Sequence, residues 1–279
     1  MIAYFNGKFL RKEEIRISVD DRGFLFADGV YEVVRAYGGR PFKMAEHMDR
    51  LARSLRETRI DFPGVADLAV AGAHLIARNG LEKTDSILYF QVTRGVAPRK
   101  HTFPEPPVPA TRMILVSQAP SCAEMRERGV GAILVPEFRW SRCDIKSIGL
   151  MGNVLAVQQA KEKGAEEAIF VRDGVVTEGT HTNVFAVFNG HLVTHPQGNF
   201  ILPGVTRGVV LELCRKLGIA YKEQAFRGDE LNRASEIMIT GTNKEITPVV
   251  RLDGRPVGTG APGPVTRRLQ AAYSELVRA

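Results

Sequence analysis

Residues 168–194 read Ala168-Ile169-Phe170-Val171-Arg172-Asp173-Gly174-Val175-Val176-Thr177-Glu178-Gly179-Thr180-His181-Thr182-Asn183-Val184-Phe185-Ala186-Val187-Phe188-Asn189-Gly190-His191-Leu192-Val193-Thr194. Two hairpins are written here. Asp173-Gly174 joins Ala168–Val171 to Val175–Thr177, and Asn189-Gly190 joins Val184–Phe188 to His191–Thr194, because Asp-Gly and Asn-Gly supply the positive φ angles of a tight primed turn. A third hairpin opens the chain, with Asn6-Gly7 between Ile2–Phe5 and Lys8–Leu10. Helical spacing of Met48, Leu51 and Leu55 predicts a helix over 46–59. Further helices are expected over 153–163, stopped by Gly164, over 206–217, ended by Gly218, and over 265–277. Ser121-Cys122-Ala123-Glu124 reads as a capping box opening a short helix. Strands are expected over 86–94, 112–117, 132–135 and 237–240, with another turn at Asp253-Gly254. Hairpins interspersed with helices give an α+β fold with mixed or antiparallel sheets rather than a doubly wound parallel sheet. No G-x-G-x-x-G follows a strand, which argues against a dinucleotide-binding domain.

The 279 residues predict two domains, a smaller one over 1–120 and a larger one over 121–279. Hydrophobic residues at 44% and charged residues at 25% exclude wholesale disorder. No apolar run approaches the ~20 residues of a membrane span, and the N-terminus shows no signal-peptide pattern, so a cytoplasmic protein is expected. Cys122, Cys143 and Cys214 are an odd number without metal-ligand spacing, which predicts reduced thiols and no metal. The net charge is +7. Residues 1–120 hold 18 Lys+Arg against 14 Asp+Glu, and the remainder 20 against 17, so the excess is diffuse. That pattern argues against a nucleic-acid partner and leaves a small anionic ligand open.

Four stretches could carry chemistry. Lys146 lies between bulky Phe138 and Trp140 and apolar Ile148, Leu150 and Met151. It reads either as a snorkelling surface lysine or as a desolvated amine able to form a Schiff base. Glu178-Gly179-Thr180-His181-Thr182-Asn183 leaves a strand with many hydrogen-bonding groups in a tight space. Leu202-Pro203-Gly204-Val205-Thr206-Arg207 opens a helix whose first N–H groups suit an anion. Thr240-Gly241-Thr242-Asn243-Lys244 is a second small polar turn. Between two strands, residues 97–110 carry five of the 15 prolines, which predicts a stiff extended loop presenting Arg99, Lys100 and His101.

Taken together, these stretches resemble the class IV, fold-type IV, pyridoxal-phosphate aminotransferases, and within them the bacterial D-amino-acid aminotransferases. The resemblance runs from Asn6 almost to the C-terminus. Its most specific parts are Asp21-Arg22-Gly23, Gly29-Val30-Tyr31-Glu32-Val33-Val34, Glu46-His47-Met48-Asp49-Arg50-Leu51, Tyr89-Phe90-Gln91-Val92-Thr93-Arg94-Gly95, Pro98-Arg99-Lys100-His101, Arg139 to Ser147, Thr177-Glu178-Gly179, Asn183-Val184-Phe185 and Glu245-Ile246-Thr247-Pro248. The resemblance implies a two-domain fold-type IV enzyme whose C-terminal domain carries Lys146 as the Schiff-base lysine, which also shuttles the substrate proton. It implies Glu178 beside the pyridine nitrogen of pyridoxal 5′-phosphate. It further implies Arg50, Val205, Thr206 and Thr242 around the phosphate, and Arg139 at the ring hydroxyl. Tyr31, Arg99 and His101 would trap the substrate carboxylate, with the Arg99/His101 loop reaching the neighbouring active site of a homodimer.

The chain departs from the closest pattern at Thr180-His181-Thr182, where a serine-rich run is usual, and at Gly241, where a hydroxyl residue is usual. The activity expected is amino-group transfer between a D-amino acid such as D-alanine and a 2-oxo acid such as 2-oxoglutarate. A branched-chain L-amino-acid or (R)-amine aminotransferase, and an aminodeoxychorismate-type lyase, are the alternatives on the same fold; Arg99 with His101 favours the D-amino-acid reading. From outside the class, a non-catalytic nucleic-acid-binding protein is the further alternative.

Overall fold

Asp173 and Gly174 adopt φ angles of 51° and 82°, and Asn189 and Gly190 angles of 49° and 78°. Both dipeptides therefore form the two-residue primed turns that match the twist of paired strands. They set the register of the larger sheet in a computed structural model that describes residues 1–278. The chain divides into two units, one comprising Met1–Ala119 with Ile145–Gly149, the other Pro120–Asp144 and the chain from Leu150 onward.

In the first unit, strands β1 (Ile2–Phe5), β2 (Lys8–Arg11), β3 (Gly29–Tyr37), β4 (Arg40–Pro41), β5 (Ser86–Thr93) and β6 (Thr111–Gln118) form an antiparallel sheet in the order β2-β1-β6-β5-β3-β4. A short helix α1 (Arg22–Phe26) precedes β3, while α2 (Met44–Thr58) and α3 (Val65–Arg78) lie on the sheet. Leu51 and Leu55 of α2, Leu68 and Leu75 of α3, and Val34, Leu88 and Phe90 of the strands make one apolar core. The sequence reading assigns no element to α3. That helix starts at Gly64 without a capping side chain, and its buried face includes Ala71 and Gly72, so its start and periodicity are weak.

The segment Ile145–Gly149 belongs to this unit, whereas the sequence reading assigns Lys146 to the C-terminal domain. Backbone hydrogen bonds account for the difference. Tyr31 N–H donates to the Lys146 carbonyl at 3.0 Å, and Ile148 N–H donates to the Gly29 carbonyl at 3.1 Å. Lys146 N–H in turn donates to Ser54 Oγ at 3.3 Å.

The second unit contains α4 (Ala123–Arg128), β7 (Val130–Pro136), α5 (Met151–Glu162), β8 (Glu167–Arg172), β9 (Val175–Gly179), β10 (Asn183–Phe188), β11 (His191–Thr194), α6 (Val205–Leu217), β12 (Tyr221–Glu223), β13 (Glu236–Gly241), β14 (Glu245–Leu252), β15 (Arg255–Pro256) and α7 (Pro264–Arg278). The strand order is β12-β11-β10-β13-β14-β7-β8-β9, with β15 on β14. Pairs β14–β7, β7–β8 and β11–β12 are parallel and the others antiparallel, so the sheet is mixed and the fold is α+β. Glu178 of β9 pairs with Asn183 of β10, which closes β10, β13, β14, β7, β8 and β9 into a ring.

The capping box expected at Ser121 does not form. Helix α4 begins one residue later with Cys122 at its N-cap. Ser121 Oγ accepts from Ala123 N–H, and Glu124 pairs with Arg128 one turn on instead of reaching back. All three cysteines are buried thiols. Among the described residues, no helix is long and apolar enough to cross a membrane.

Leu51 is fully buried on the same helix as Arg50. Leu51→Ala is expected to cost about 2–5 kcal/mol through the cavity it leaves, read as a lower urea midpoint with an unchanged slope.

Candidate active site

In the first unit, β3 alternates its side chains between two faces. Tyr31 faces one way, where the Lys146 Nζ stands 4.2 Å from its ring centroid. The Tyr89 ring lies 5.6 Å from that of Tyr31. Burial, aided by Tyr31, pushes the Tyr89 phenol up to about 12. Lys146 is half-buried, and its amine meets an aromatic face. Glu32, the next residue on β3, is fully buried and receives Arg50 in a two-pronged pair, Nε to Oε2 at 2.9 Å and Nη2 to Oε1 at 2.6 Å. The His47 Nδ1 lies 3.3 Å from the same carboxylate. Burial acts to raise the Glu32 carboxyl, but Arg50 and His47 outweigh it and hold the group well below the usual carboxylate range. Burial also lowers His47, against the pull of Glu32, and the neighbouring Arg50 and Lys146 add to the lowering.

Arg99 and His101 meet on Phe26 of α1. The Arg99 guanidinium carbon is 5.2 Å from the ring centroid, and the His101 ring 5.5 Å. Both side chains are exposed.

In the second unit, three segments converge on Glu178, which is 4% exposed. Arg139 Nη1 donates to its Oε1 at 3.0 Å, while the Leu202 N–H donates to Oε2 at 2.8 Å. Asn183 Nδ2 donates to Oε2 at 3.4 Å and to the Leu202 carbonyl at 2.9 Å, so one amide ties the β9–β10 turn to the segment before α6. Arg139 is shared, because its Nε and Nη2 donate to Glu137. The resemblance implies a ring hydroxyl for Arg139; in the structure its three nitrogens all meet carboxylates. Burial pushes Glu178 up to about 7, with Arg139 and the Leu202 N–H opposing and Glu137 adding to the rise.

Helix α6 starts at Gly204 with no side chain capping its first turn. A Cβ at Gly204 would stand 2.0 Å from Asn183 Oδ1, so only glycine permits this approach. The first-turn N–H groups of Val205 and Thr206 are therefore presented by backbone alone, as an anion site requires. Thr242 lies on the turn between β13 and β14, whose Gly241 leaves room for the His181 carbonyl, 3.2 Å from where a Cβ would sit.

The departure at Thr180-His181-Thr182 keeps its hydroxyls. Thr180 Oγ1 and Thr182 Oγ1 both donate to the fully buried Glu167, the latter at 2.8 Å. His181 turns outward, with Nδ1 at 2.8 Å from Thr180 Oγ1.

The second-unit groups suit the pyridine and phosphate ends of pyridoxal 5′-phosphate. Glu178 is a buried carboxylate that its own donors leave under-compensated, which favours a protonated ring nitrogen beside it. The uncapped α6 start suits a phosphate. Sequence reasoning missed Glu32, Glu137 and Glu167 as the anchors of this machinery. Asn183 was visible only as part of a recurring stretch.

The amino-transferase class IV family model matches residues 29–252. The chain belongs to the class IV aminotransferase family. As an aminotransferase it is 40% identical over 276 residues to the D-alanine aminotransferase of Staphylococcus haemolyticus, covering 99% of this chain and 97% of that one. It is 43% identical over 279 residues to that of Bacillus licheniformis, with 99% and 97% coverage. Among solved structures, the aminotransferase resembles the branched-chain amino acid aminotransferase of Escherichia coli (TM-score 0.89, 29% identity, 99% of this chain and 94% of that one). It also resembles the branched-chain aminotransferase of Thermoproteus uzoniensis (TM-score 0.89, 27% identity, 99% and 94%).

Glu178 yields a pH-dependent prediction. Its folded value near 7 lies above the ordinary 4.5. The folded state therefore holds an extra proton between these values, and the stabilisation, complete below 4.5, is lost as pH rises to 7. In cofactor-free protein, Glu178→Gln is expected to remove this loss. Its unfolding free energy relative to wild type should rise by on the order of 2 kcal/mol across the window, measured by urea unfolding at stepped pH.

Proposed function

We propose that the chain is a pyridoxal 5′-phosphate-dependent D-amino-acid aminotransferase that moves the amino group of D-alanine, or a related D-amino acid, to 2-oxoglutarate or a related 2-oxo acid. The observation that carries this reading is the state of Arg99 and His101. They gather on one ring, remain exposed, and among the described residues neither side chain makes a hydrogen bond or ion pair. A guanidinium beside an imidazole, both with unspent donors, is a receptor for a carboxylate. The full-length relatives named D-alanine aminotransferase support the same substrate class.

When bound, pyridoxal 5′-phosphate supplies an aldehyde for covalent attachment and a ring that draws electrons from the substrate α-carbon. Lys146 Nζ would be the amine for that attachment and the base that takes up the α-hydrogen. Glu178 would keep the ring nitrogen protonated, and Arg139 holds Glu178. The groups that would bind the phosphate are Arg50, set by Glu32, in the first unit, and the Val205 and Thr206 N–H groups with Thr242 in the second. Tyr31 completes the carboxylate receptor. The reading includes a homodimer in which the Arg99/His101 loop serves the neighbouring site. The exposed Met151, Val154 and Leu155 on α5 support a self-associating surface.

Incubated with 2-oxoglutarate, the purified protein is expected to convert D-alanine to pyruvate with formation of D-glutamate. Turnover of L-leucine alone would overturn the reading in favour of the branched-chain activity named for the solved neighbours. In the same assay, Arg99→Ala is expected to raise KM for D-alanine at least about tenfold with a smaller change in kcat. An unchanged KM would place the carboxylate elsewhere.

A further inference from the structure

Asp21-Arg22-Gly23 is among the most specific stretches of the sequence, yet none of the roles above uses it. In the structure it forms the footing of the proline-rich loop. Arg22 N–H donates to the Gly95 carbonyl at 2.9 Å, and Ala97 N–H donates to the Asp20 carbonyl at 3.2 Å. Thr93 Oγ1 donates to Asp21 Oδ2 at 3.1 Å. Gly95 has a φ of +103°, and a Cβ there would stand 2.1 Å from the Pro109 carbonyl oxygen. Both ends of the loop are thus drawn together at a residue that must be glycine.

Beyond this footing the loop lacks regular structure. Among the described residues, one hydrogen bond reaches residues 98–103, and it comes from Arg22. Its Nη1 donates at 2.6 Å to the carbonyl of Lys100, the residue between Arg99 and His101. The Arg22 side chain is buried, and its Nε donates to Asp28 Oδ2 at 2.8 Å. Asp28 is gripped from the other side by Arg94, Nε at 2.7 Å and Nη2 at 2.9 Å. Arg94 also donates to the carbonyls of Thr58 and Arg59 at the end of α2. Burial works to raise the Asp28 carboxyl, but the two guanidinium groups outweigh it and keep it ionised. A rigid line therefore runs from the end of α2 through Arg94, Asp28 and Arg22 to the Lys100 carbonyl. Arg22 also covers Phe26, its guanidinium carbon 4.9 Å from the centroid of the ring that carries Arg99 and His101.

We propose that Arg22 and Phe26 are positioning residues for substrate recognition: Arg22 holds the Lys100 carbonyl and Phe26 seats the two flanking side chains, so that Arg99 and His101 present their donors to the substrate carboxylate. The inference rests on the reading of Arg99 and His101 as the carboxylate receptor. A bidentate grip is directional, and a displacement of about 1 Å is enough to weaken it severely.

The test uses the cofactor-loaded enzyme and the variants Arg22→Gln, Phe26→Leu, Arg99→Ala and the Arg22→Gln/Arg99→Ala double variant. Arg22→Gln is expected to raise KM for D-alanine and for 2-oxoglutarate about tenfold, with kcat changed less. Its half-reaction with D-alaninamide, which lacks the carboxylate, should keep the wild-type rate, followed by the visible cofactor band. The double variant should be no worse than Arg99→Ala, because Arg22 acts through the loop. Phe26→Leu leaves the buried ion pairs intact and should raise the same two KM values, so it decides the matter if Arg22→Gln does not fold. Wild-type KM values in Arg22→Gln or in folded Phe26→Leu, while Arg99→Ala is impaired, overturn the positioning role alone. So do equal losses with D-alanine and D-alaninamide, or multiplied losses in the double variant. An unimpaired Arg99→Ala overturns the receptor reading and this inference with it.

Discussion

Glu178 is closed off from water, and the donors around it determine how the second unit is built. A buried carboxylate without partners is too costly to persist as an anion, so the chain must bring hydrogen-bond donors to it or leave it protonated. It brings Arg139 from the segment after β7, the Leu202 N–H from before α6 and Asn183 from β10. Satisfying one acid thereby joins three distant stretches of sequence, and the same contacts set the start of α6 where its N–H groups are unencumbered. Glu178 and Asn183 are also the pair that closes the strand ring, so the acid stands at the seam of the sheet.

The first unit uses the same constraint with a different balance. Glu32 has Arg50 on both oxygens and His47 beside it, and it stays far below the ordinary carboxylate range. Glu178 receives one nitrogen of a guanidinium whose other two go to Glu137, and burial wins. Glu32 is saturated and serves to hold Arg50 in place. Glu178 retains capacity for a further cation, which suits an acid beside a ring nitrogen. Asp28, between Arg22 and Arg94, belongs with Glu32 as an anchor, and what it anchors is the loop of Arg99 and His101.

The aminotransferase therefore separates two kinds of charged residue. Arg99, His101 and the half-buried Lys146 keep capacity for a ligand, whereas Arg22, Arg94 and Arg139 are committed to carboxylates of the protein and Arg50 is oriented by one. Thr180 and Thr182 show how a departure in sequence can leave the chemistry alone: their hydroxyls still meet Glu167, while His181 turns outward between them.

The hairpins at Asn6-Gly7, Asp173-Gly174 and Asn189-Gly190, the helices ended by Gly164 and Gly218, and the α+β class were all legible in the chain. Each depends on local conformational preference, on positive φ or on apolar spacing, and these are properties of neighbouring residues. Helix α3 and the start of α4 were not legible, because their ends lack capping side chains and burial against the sheet decides them. The stretches that carry the candidate site residues were recognisable as an ordered set. Their anchors were not: Glu137, Glu167 and Asp28 look like ordinary surface charges in a linear sequence, and Arg22 and Glu32 stood in recognisable stretches without a role that the sequence could assign. Sequence alone determined which local turns and helices form and which residue types are available for chemistry. Only the tertiary structure decided which carboxylates lose their water, and so which arginines are held and which stay open to a substrate, because desolvation depends on everything packed around a group and not on its neighbours along the chain.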